Sequence, residues 1–246
     1  MNILVPIVNS NYNIRDNQYI ISLYEIERKT ILQRVFESLS KMENANFIIS
    51  LSKHDTINFN LDDIVNLLIP DAKIVIAEGD TKGSACSCLL AIDLIDENEP
   101  LIITGGDQII NVEFEEVIKY FVQNDYDGGV IIFEDIHPRW SFVKLDKQGL
   151  VIEAAEKRPI SKNATTGFFY FKTGKLFIEA AQQMIFKGAS VNDQYYVSPV
   201  FNEMVLAQKR IGTYRIEKNQ YFKFSHQSGI EAYEKYLKGN DSYLHR

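Results

Sequence analysis

Apolar runs of strand length alternate with helical patterns through the first half of the chain. The runs are apolar throughout, as in strands buried on both faces, and the segments between them place apolar residues three or four positions apart. The predicted strands are residues 2–8, 46–52, 73–77, 101–104 and 128–133. The predicted helices are residues 29–41, 62–68, 84–94 and 113–124. This alternation predicts a parallel sheet with helices on both faces, as in a Rossmann-like arrangement.

The second half of the chain has a different pattern. Its apolar runs are shorter and are separated by turn residues, which is typical of hairpins. Strands are predicted at residues 140–145, 151–155, 166–171 and 210–216, and helices at residues 175–186, 199–207 and 229–237. We therefore predict a single α/β domain over residues 1–246, with a mixed, mainly parallel sheet flanked by helices and a smaller, β-rich second half.

The composition narrows the classes of partner. The chain has 246 residues and a net charge of −7 without a basic run, and general nucleic-acid binding needs clustered cations. No apolar stretch approaches the roughly 18 residues of a membrane span, and the N-terminal apolar run has no basic segment before it. Cys86 and Cys88 provide no disulfide framework. We expect a cytoplasmic protein with no nucleic-acid and no membrane partner.

A carboxylate follows the fourth predicted strand. Asp107, in Gly105-Gly106-Asp107-Gln108, comes directly after the apolar run 101–104, so it should lie at the carboxyl end of a parallel strand, where such sheets bind ligands. A carboxylate there can hold Mg²⁺ together with substrate phosphates. The alternative is a turn-forming aspartate that caps the next helix.

Two further segments have the chemistry of phosphate sites. Lys82-Gly83-Ser84 opens a predicted helix, whose first N–H groups suit an anion, although a plain capped helix start would look the same. Glu156-Lys157 ends a predicted strand, where the lysine suits a phosphate and the alternative is a solvated ion pair. Thr166-Gly167 would present backbone to the same ligand, unless Gly167 marks a β-bulge.

The motifs together are more specific than any one alone. They are Thr81-Lys82-Gly83-Ser84-Ala85, Gly105-Gly106-Asp107-Gln108, His137-Pro138-Arg139-Trp140-Ser141-Phe142, Ala155-Glu156-Lys157-Arg158-Pro159, Thr165-Thr166-Gly167-Phe168-Phe169-Tyr170-Phe171 and Tyr195-Tyr196-Val197-Ser198-Pro199. Their order resembles that in sugar nucleotidyltransferases of GT-A-like fold. More narrowly, it is similar to nucleotidyltransferase-like proteins of bacterial capsule and lipopolysaccharide biosynthesis.

The resemblance implies that residues 1–135 form a nucleotide-binding half and residues 136–246 form an acceptor-binding half. It implies that Asp107 and Lys157 are the catalytic residues, with Mg²⁺ on Asp107 and on Asn202, or alternatively Asp193. The implied nucleotide contacts are Pro6, Val8, Asn9, Lys82, Gly83, Ser84 and Gly106. The implied acceptor contacts are Glu156, Lys157, Thr166 and Gly167.

The sequence departs from the family after the first strand. The family has Gly-x-Gly-x-Arg there, followed by Pro-Lys, whereas this chain has Asn9, Asn11 and Asn13, followed by Ile20-Ile21. The missing arginine and lysine would act on the charged phosphate oxygens, and removing one such donor costs on the order of 3 kcal/mol of transition-state stabilisation. The nearby cations that could substitute are Arg15, Arg28 and Lys29.

Three functions are compatible with these residues. We expect an enzyme that joins a nucleoside triphosphate to a phosphorylated sugar or similar small molecule and releases pyrophosphate. A GT-A-like glycosyltransferase would use a nucleotide sugar, but the only Asp-x-Asp motif, Asp125-Tyr126-Asp127, precedes a strand instead of following one. The third alternative is a catalytically impaired homologue that binds a nucleotide. The sequence leaves the oligomeric state open, a homo-oligomer included.

Overall fold

The computed structural model describes residues 1–8, 20–42, 44–225 and 227–244. The strands are β1 Asn2–Ile7, β2 Glu25–Ile26, β3 Lys29–Thr30, β4 Asn46–Ser52, β5 Lys73–Ala77, β6 Leu101–Thr104, β7 Gln108–Ile110, β8 Gly128–Glu134, β9 Ser141–Leu145, β10 Val151–Glu156, β11 Asn163–Phe171, β12 Ile211–Arg215 and β13 Tyr221–Lys223. The helices are α1 Ile31–Leu39, α2 Lys53–Phe59, α3 Leu61–Leu68, α4 Ser84–Leu89, α5 Phe114–Gln123, α6 Gly174–Phe186, α7 Val200–Leu206 and α8 Gln227–Leu244.

Strands from both halves of the chain form one nine-stranded sheet. Its order is β10-β9-β11-β6-β1-β4-β5, and β8 pairs with β11 and with β12. β6, β1, β4 and β5 are mutually parallel, so their carboxyl ends lie at one edge. The α/β class and the mixed, mainly parallel sheet are confirmed.

β11 is the strand that joins the two halves. It lies antiparallel to β6 through 168–171 and antiparallel to β8 through 163–165 and 169–171. Its register with β8 shifts between Thr165 and Phe169, which marks a bulge in the strand. The parallel first half predicted from the sequence is therefore interrupted, because β11 separates β8 from the other four parallel strands.

The core lies on both faces of the sheet, because successive side chains of a strand point to opposite sides. Ile3 and Val5 of β1 belong to one buried cluster, which α1, α5 and α8 cover, and Leu4 belongs to the other, which α4, α6 and α7 cover. All three side chains are fully buried. The uninterrupted apolar runs of the sequence are the direct result of this double cover.

Several short elements differ from the sequence prediction. The predicted helix 84–94 ends at Leu89, and a 3-10 turn follows at Ile92–Leu94. α2 was not predicted, because its apolar residues are few, and its start depends on Ser52, whose hydroxyl accepts the Asp55 N–H. The two-stranded pairs β2–β3 and β7–β13 are too short for a periodic pattern to show.

Among the residues that the structure describes, no helix is both long and apolar enough to cross a membrane.

Phe121 of α5 should be a major contributor to stability. Its ring is fully buried and stacks on Tyr170 with centroids 5.3 Å apart, and Gly129 leaves room for it on the sheet. We expect Phe121→Ala to lower the free energy of unfolding by about 3–5 kcal/mol, as measured by urea denaturation. The matched control is Phe186→Ala, since the Phe186 side chain is 87% exposed. Equal losses for the two variants would contradict this account of the core.

Candidate active site

A cleft of about 580 Å³ opens at the carboxyl ends of β1 and β6 and reaches across to β10 and the bulge of β11. Most of the residues predicted from the sequence lie along it. Those that line the cleft are Pro6, Val8, Gly83, Ser84, Gly106, Asp107, Glu156, Lys157, Thr166 and Gly167. The structure therefore brings the two predicted halves of the site together in one cavity, while the individual roles stay predictions.

One predicted nucleotide contact among the described residues is not brought into the cleft. Lys82 is exposed and does not line it, although its carbonyl accepts the Tyr195 N–H at 2.7 Å. Asn9 lies outside the described residues, as do Asn11, Asn13 and Arg15.

Asn202 and Asp193, the predicted second metal ligands, also lie elsewhere. The Asn202 amide oxygen accepts the Ala154 N–H and its amide nitrogen donates to the Ala154 carbonyl, both at 2.8 Å. This contact ties α7 to β10 and engages both ends of the amide. Asp193 is exposed in a turn with φ of 58°. Neither residue lines the cleft, so neither joins Asp107.

Asp107 forms an ion pair that the sequence did not predict. The Lys223 ammonium donates to Asp107 Oδ1 at 2.6 Å, and both side chains are largely but not fully buried. The backbone supports this contact, because the Phe224 N–H donates to the Asp107 carbonyl at 2.9 Å and β13 pairs with β7. Lys223 belongs to a three-residue strand far along the chain, where no sequence pattern pointed to it.

Glu156 is the second carboxylate of the cleft. Burial raises its pKa, and this outweighs the opposing effects of a hydrogen bond from the Ser141 hydroxyl and of the nearby Lys157 and Lys223 charges. Its position at the end of β10 places it across the cleft from β6. The carboxyl is therefore less readily ionised than an ordinary glutamate.

Lys157 is held toward the cleft by its backbone and by an aromatic ring. It has φ of 52°, which is uncommon for a residue other than glycine and turns the chain sharply after β10. Its ammonium donates to the Tyr196 hydroxyl at 3.1 Å and lies 5.0 Å from the centre of the Tyr196 ring. Tyr196 also lines the cleft, so both side chains face the same cavity.

Arg139 adds a third cation, on a loop that Asp135 organises. Asp135 accepts the N–H groups of Ile136 and His137 and the Trp140 indole N–H, and it pairs with Lys218 at 2.7 Å. Burial alone would raise the pKa of Asp135, but these donors hold it well below its ordinary value. Arg139 lies over the Trp140 ring at 4.3 Å from its centre, and both residues line the cleft. Trp140 also packs against Phe133 and Tyr221.

Gln108 connects the floor of the cleft to the bulge of β11. Its Nε2 donates to the Thr104 hydroxyl at 3.0 Å, and its Oε1 accepts from the Gly167 N–H and the Tyr221 hydroxyl. Burial raises the pKa of Tyr221 to about 12, so its hydroxyl stays a donor. A Cβ at Gly167 would lie 2.6 Å from Gln108 Oε1. The close approach at this glycine is therefore to Gln108, and the contact of its backbone with an acceptor stays a prediction.

Gly83 has a similar structural use. Its φ is 104°, and a Cβ would lie 2.4 Å from the carbonyl oxygen of Tyr195. That carbonyl accepts the Ala85 N–H at 2.9 Å, and the Ser84 hydroxyl accepts the Val197 N–H at 3.3 Å. The start of α4 and the segment after Asp193 thus form one wall of the cleft. The close approach at Gly83 is to the protein backbone, and its contact with a nucleotide stays a prediction.

Three buried hydroxyl oxygens line the cleft without a hydrogen-bond partner among the described atoms. They belong to Ser22, Thr165 and Ser198. A buried hydroxyl without a partner costs free energy, and such groups in native structures are often satisfied by a ligand or by water. The cleft therefore presents polar groups that a bound molecule can satisfy. They were missed from the sequence because single serines and threonines carry no pattern.

The cations of the cleft come from the second half of the chain. Arg28 and Lys29, predicted as substitutes for the missing loop cations, lie at the β2–β3 turn and do not line it, and Lys29 pairs with Glu37 at 2.8 Å. Within the described part of the cleft, Arg139, Lys157 and Lys223 face two carboxylates, Asp107 and Glu156. This excess of positive charge suits an anionic ligand.

The Asp-x-Asp motif does not contribute to the site. Asp125 pairs with Lys172 at 2.6 Å, and the Asp127 carboxylate accepts the Arg210 N–H at 2.9 Å. Neither lines the cleft. The structure therefore gives no support to a metal-dependent glycosyltransferase site built on this motif.

The magnesium ion that the resemblance implies would need ligands from the side chains of the cleft. The described residues contain no group of three or more His, Cys, Asp or Glu side chains placed to hold a metal. Mg²⁺ binds carboxylate oxygens at about 2.1 Å, but Asp107 Oδ1 is paired with Lys223 and the pKa of Glu156 is raised. The side chains as arranged do not fit a metal ion held by the protein.

Substitution of Gly83 should show how much stability depends on its close contact with Tyr195, apart from the strain of its backbone conformation. We expect Gly83→Ala to lower the free energy of unfolding by about 2 kcal/mol or more, because the new Cβ adds a clash to an unfavourable φ. The control is Gly149→Ala, where φ is 84° but nothing lies within 4 Å of the added atom. Urea unfolding measures both variants. A loss at Gly83 no larger than that at Gly149 would contradict the tight contact with Tyr195.

Glu156 should make stability depend on pH. The pKa of Glu156 is raised in the folded state, so the neutral carboxyl contributes to the free energy of unfolding. This contribution is fully present below the ordinary glutamate pKa of about 4.3 and is lost as pH rises through the folded-state value. We expect Glu156→Gln to gain stability relative to the wild type between about pH 4 and pH 8, measured by urea unfolding. Glu153→Gln, on the same strand and half-exposed, is the control for the substitution itself. A difference that does not change with pH would show that Glu156 titrates normally.

The fold is shared with solved structures at low sequence identity. The nucleoside-diphosphate-sugar pyrophosphorylase from Vibrio cholerae RC9 matches with a TM-score of 0.80 and 18% identity, over 96% of this chain and 100% of that chain. UDP-glucose pyrophosphorylase, solved in complex with UDP-glucose, matches with a TM-score of 0.74 and 15% identity, over 97% and 98%. The inositol-1-phosphate CTP transferase from T. maritima matches with a TM-score of 0.74 and 13% identity, over 94% of each chain. These likenesses establish the fold.

No match was found among curated proteins. The family described as nucleotidyl transferase, however, matches residues 21–205, which is most of the chain. The chain therefore belongs to the nucleotidyl transferase family.

Proposed function

We propose that this protein joins a nucleoside triphosphate to a phosphorylated sugar or a similar small molecule and releases pyrophosphate. The observation that carries the proposal is that Asp107, at the end of β6, and Lys157, at the end of β10, line the same cleft. One comes from the half predicted to bind the nucleotide and the other from the half predicted to bind the acceptor. A UDP-glucose pyrophosphorylase of the same fold was solved with UDP-glucose, and this supports a nucleotide and a sugar as ligands.

The reaction requires little covalent chemistry from the protein. An oxygen of the acceptor phosphate attacks the α-phosphorus, a new P–O bond forms, and the bond to the β-phosphate breaks as pyrophosphate leaves with the bonding electrons. The protein has to align the two phosphates and to stabilise the charge on their oxygens. Lys157 is suited to the acceptor phosphate, because Tyr196 holds its ammonium toward the cleft.

The cations of the second half supply charge to the cleft. Arg139 lies at the opening near Trp140, and Lys223 lies beside Asp107. Both line the cleft together with the three unpartnered hydroxyls. These cations are the basis for proposing turnover even though the family's glycine-rich loop is altered.

The family resemblance also suggests a biological role for the product. The product would be a nucleotide-activated sugar for surface polysaccharide biosynthesis, made in the cytoplasm. Magnesium would then act on the phosphate groups at the transfer step, without being required for the nucleotide to bind. The oligomeric state stays open, a homo-oligomer included.

The activity is tested by pyrophosphate release. CTP, UTP, dTTP and GTP are each combined with a panel of sugar 1-phosphates and inositol 1-phosphate, and an active pair identifies both substrates. For that pair, we expect Lys157→Met to lower kcat/KM by about 10²-fold, because a cation on the acceptor phosphate is lost. Lys162→Met is the matched control, since Lys162 is exposed, pairs with Glu134 at 3.5 Å and does not line the cleft.

Other outcomes favour the other functions. Equal activity of Lys157→Met and wild type would remove Lys157 from the acceptor site. Hydrolysis or transfer of a nucleotide sugar without pyrophosphate release from any triphosphate would favour the glycosyltransferase. Nucleotide binding in thermal-shift experiments without turnover of any pair would favour the catalytically impaired homologue.

A further inference from the structure

Lys223 is fixed by the backbone on both sides. β13 pairs with β7 so that Lys223 lies opposite Gln108, and the Phe224 N–H donates to the Asp107 carbonyl at 2.9 Å. On the other side, α8 packs so closely that a Cβ at Gly229 would lie 1.9 Å from the Lys223 carbonyl oxygen. The fold therefore sets the backbone positions of both residues of the ion pair.

The Lys223 ammonium acts on both carboxylates of the cleft. It lies 2.6 Å from Asp107 Oδ1, and its positive charge also acts on the Glu156 carboxyl. A divalent ion bound to Asp107 Oδ1 would have to take the position of this ammonium. A metal ion there would be repelled by the ammonium and would compete with it for the same oxygen.

We propose that Lys223 replaces a protein-bound divalent metal ion in this cleft, so that the phosphate groups of the ligand are bound without a metal ion on Asp107. The identity of the ligand rests on the proposed function, whereas the exclusion of the metal rests on the ion pair itself. An ammonium group has three N–H donors, so it can hold Asp107 and donate to a phosphate oxygen together. Arg139 and Lys157 supply further positive charge around the same cavity.

The Asp107 carboxylate has a different function under this proposal. In place of a metal ligand, it is an anchor that sets the position of the Lys223 ammonium. Its removal should therefore displace the cation without leaving a metal site behind. A metal-ligating aspartate and an ammonium-anchoring aspartate thus differ in how ligand binding responds to a chelator.

The first experiment measures nucleotide binding by isothermal titration calorimetry with CTP, UTP, dTTP and GTP, each in Mg²⁺ and in excess EDTA. We expect the wild type to bind its nucleotide with dissociation constants that agree within about threefold between the two conditions. We expect Lys223→Met to weaken binding in EDTA at least tenfold and Lys223→Arg, which keeps the charge, to retain it. Lys175→Met, which removes an exposed, ion-paired lysine of α6, is the control and should match the wild type.

The second experiment uses Mn²⁺ alone and needs no nucleotide. In electron paramagnetic resonance, we expect the wild-type protein to leave the Mn²⁺ spectrum unchanged. We expect Lys223→Met to bind Mn²⁺, and we expect this binding to be lost in the double variant that also carries Asp107→Asn. Wild-type binding of Mn²⁺ that requires Asp107 would overturn the proposal, and so would failure of Lys223→Met to bind Mn²⁺. Loss of wild-type nucleotide binding in EDTA, or unchanged binding by Lys223→Met in EDTA, would overturn it as well.

The two experiments keep the proposals apart. If no nucleotide binds in either condition, the proposed function fails, and the Mn²⁺ titration still decides whether Lys223 occupies the place of a metal ion.

Discussion

The pairing of β11 with both β6 and β8 is the constraint on which the site depends. Because β11 runs between them, the second half of the chain joins the sheet of the first half. The bulge of β11 lies beside the strand end that carries Asp107, and the Gln108 amide fixes it there through the Gly167 N–H. A cleft between the two halves follows directly from this strand order.

The charge of the cleft is arranged differently from the charge that the family resemblance implies. The family places an arginine and a lysine on the loop after the first strand, where this chain has Asn13 and Ile21. The described cleft instead has cations from three separate places in the second half: the loop before β9, the end of β10 and the end of β13. Phosphate chemistry depends on where positive charge lies in space, and the fold can deliver it from any of these elements.

Local patterns account for the parts of the site that the sequence predicted. Asp107 follows a four-residue apolar run and two glycines, and Lys157 comes just after a short predicted strand, so both could be placed at strand ends. The ends of most of the longer strands and helices were also predicted to within a few residues, because apolar periodicity and capping residues are local signals.

Long-range contacts account for the parts that the sequence did not predict. Lys223 meets Asp107 across 116 positions, and it does so through the pairing of two three-residue strands. Asn202 was expected beside a metal, but it hydrogen-bonds to the backbone of Ala154 across 48 positions. Which polar side chain meets which backbone group is decided by tertiary packing, and a single sequence contains no periodic signal for it.

The contact between Gly83 and Tyr195 has a consequence for ligand binding. The backbone at the start of α4 and the backbone that leads to Tyr196 touch with no side chain between them. A molecule resting on Ser84 and a molecule resting on Tyr196 would therefore lie against one shared partition. By thermodynamic reciprocity, any factor by which one changes the affinity for the other is the same in both directions.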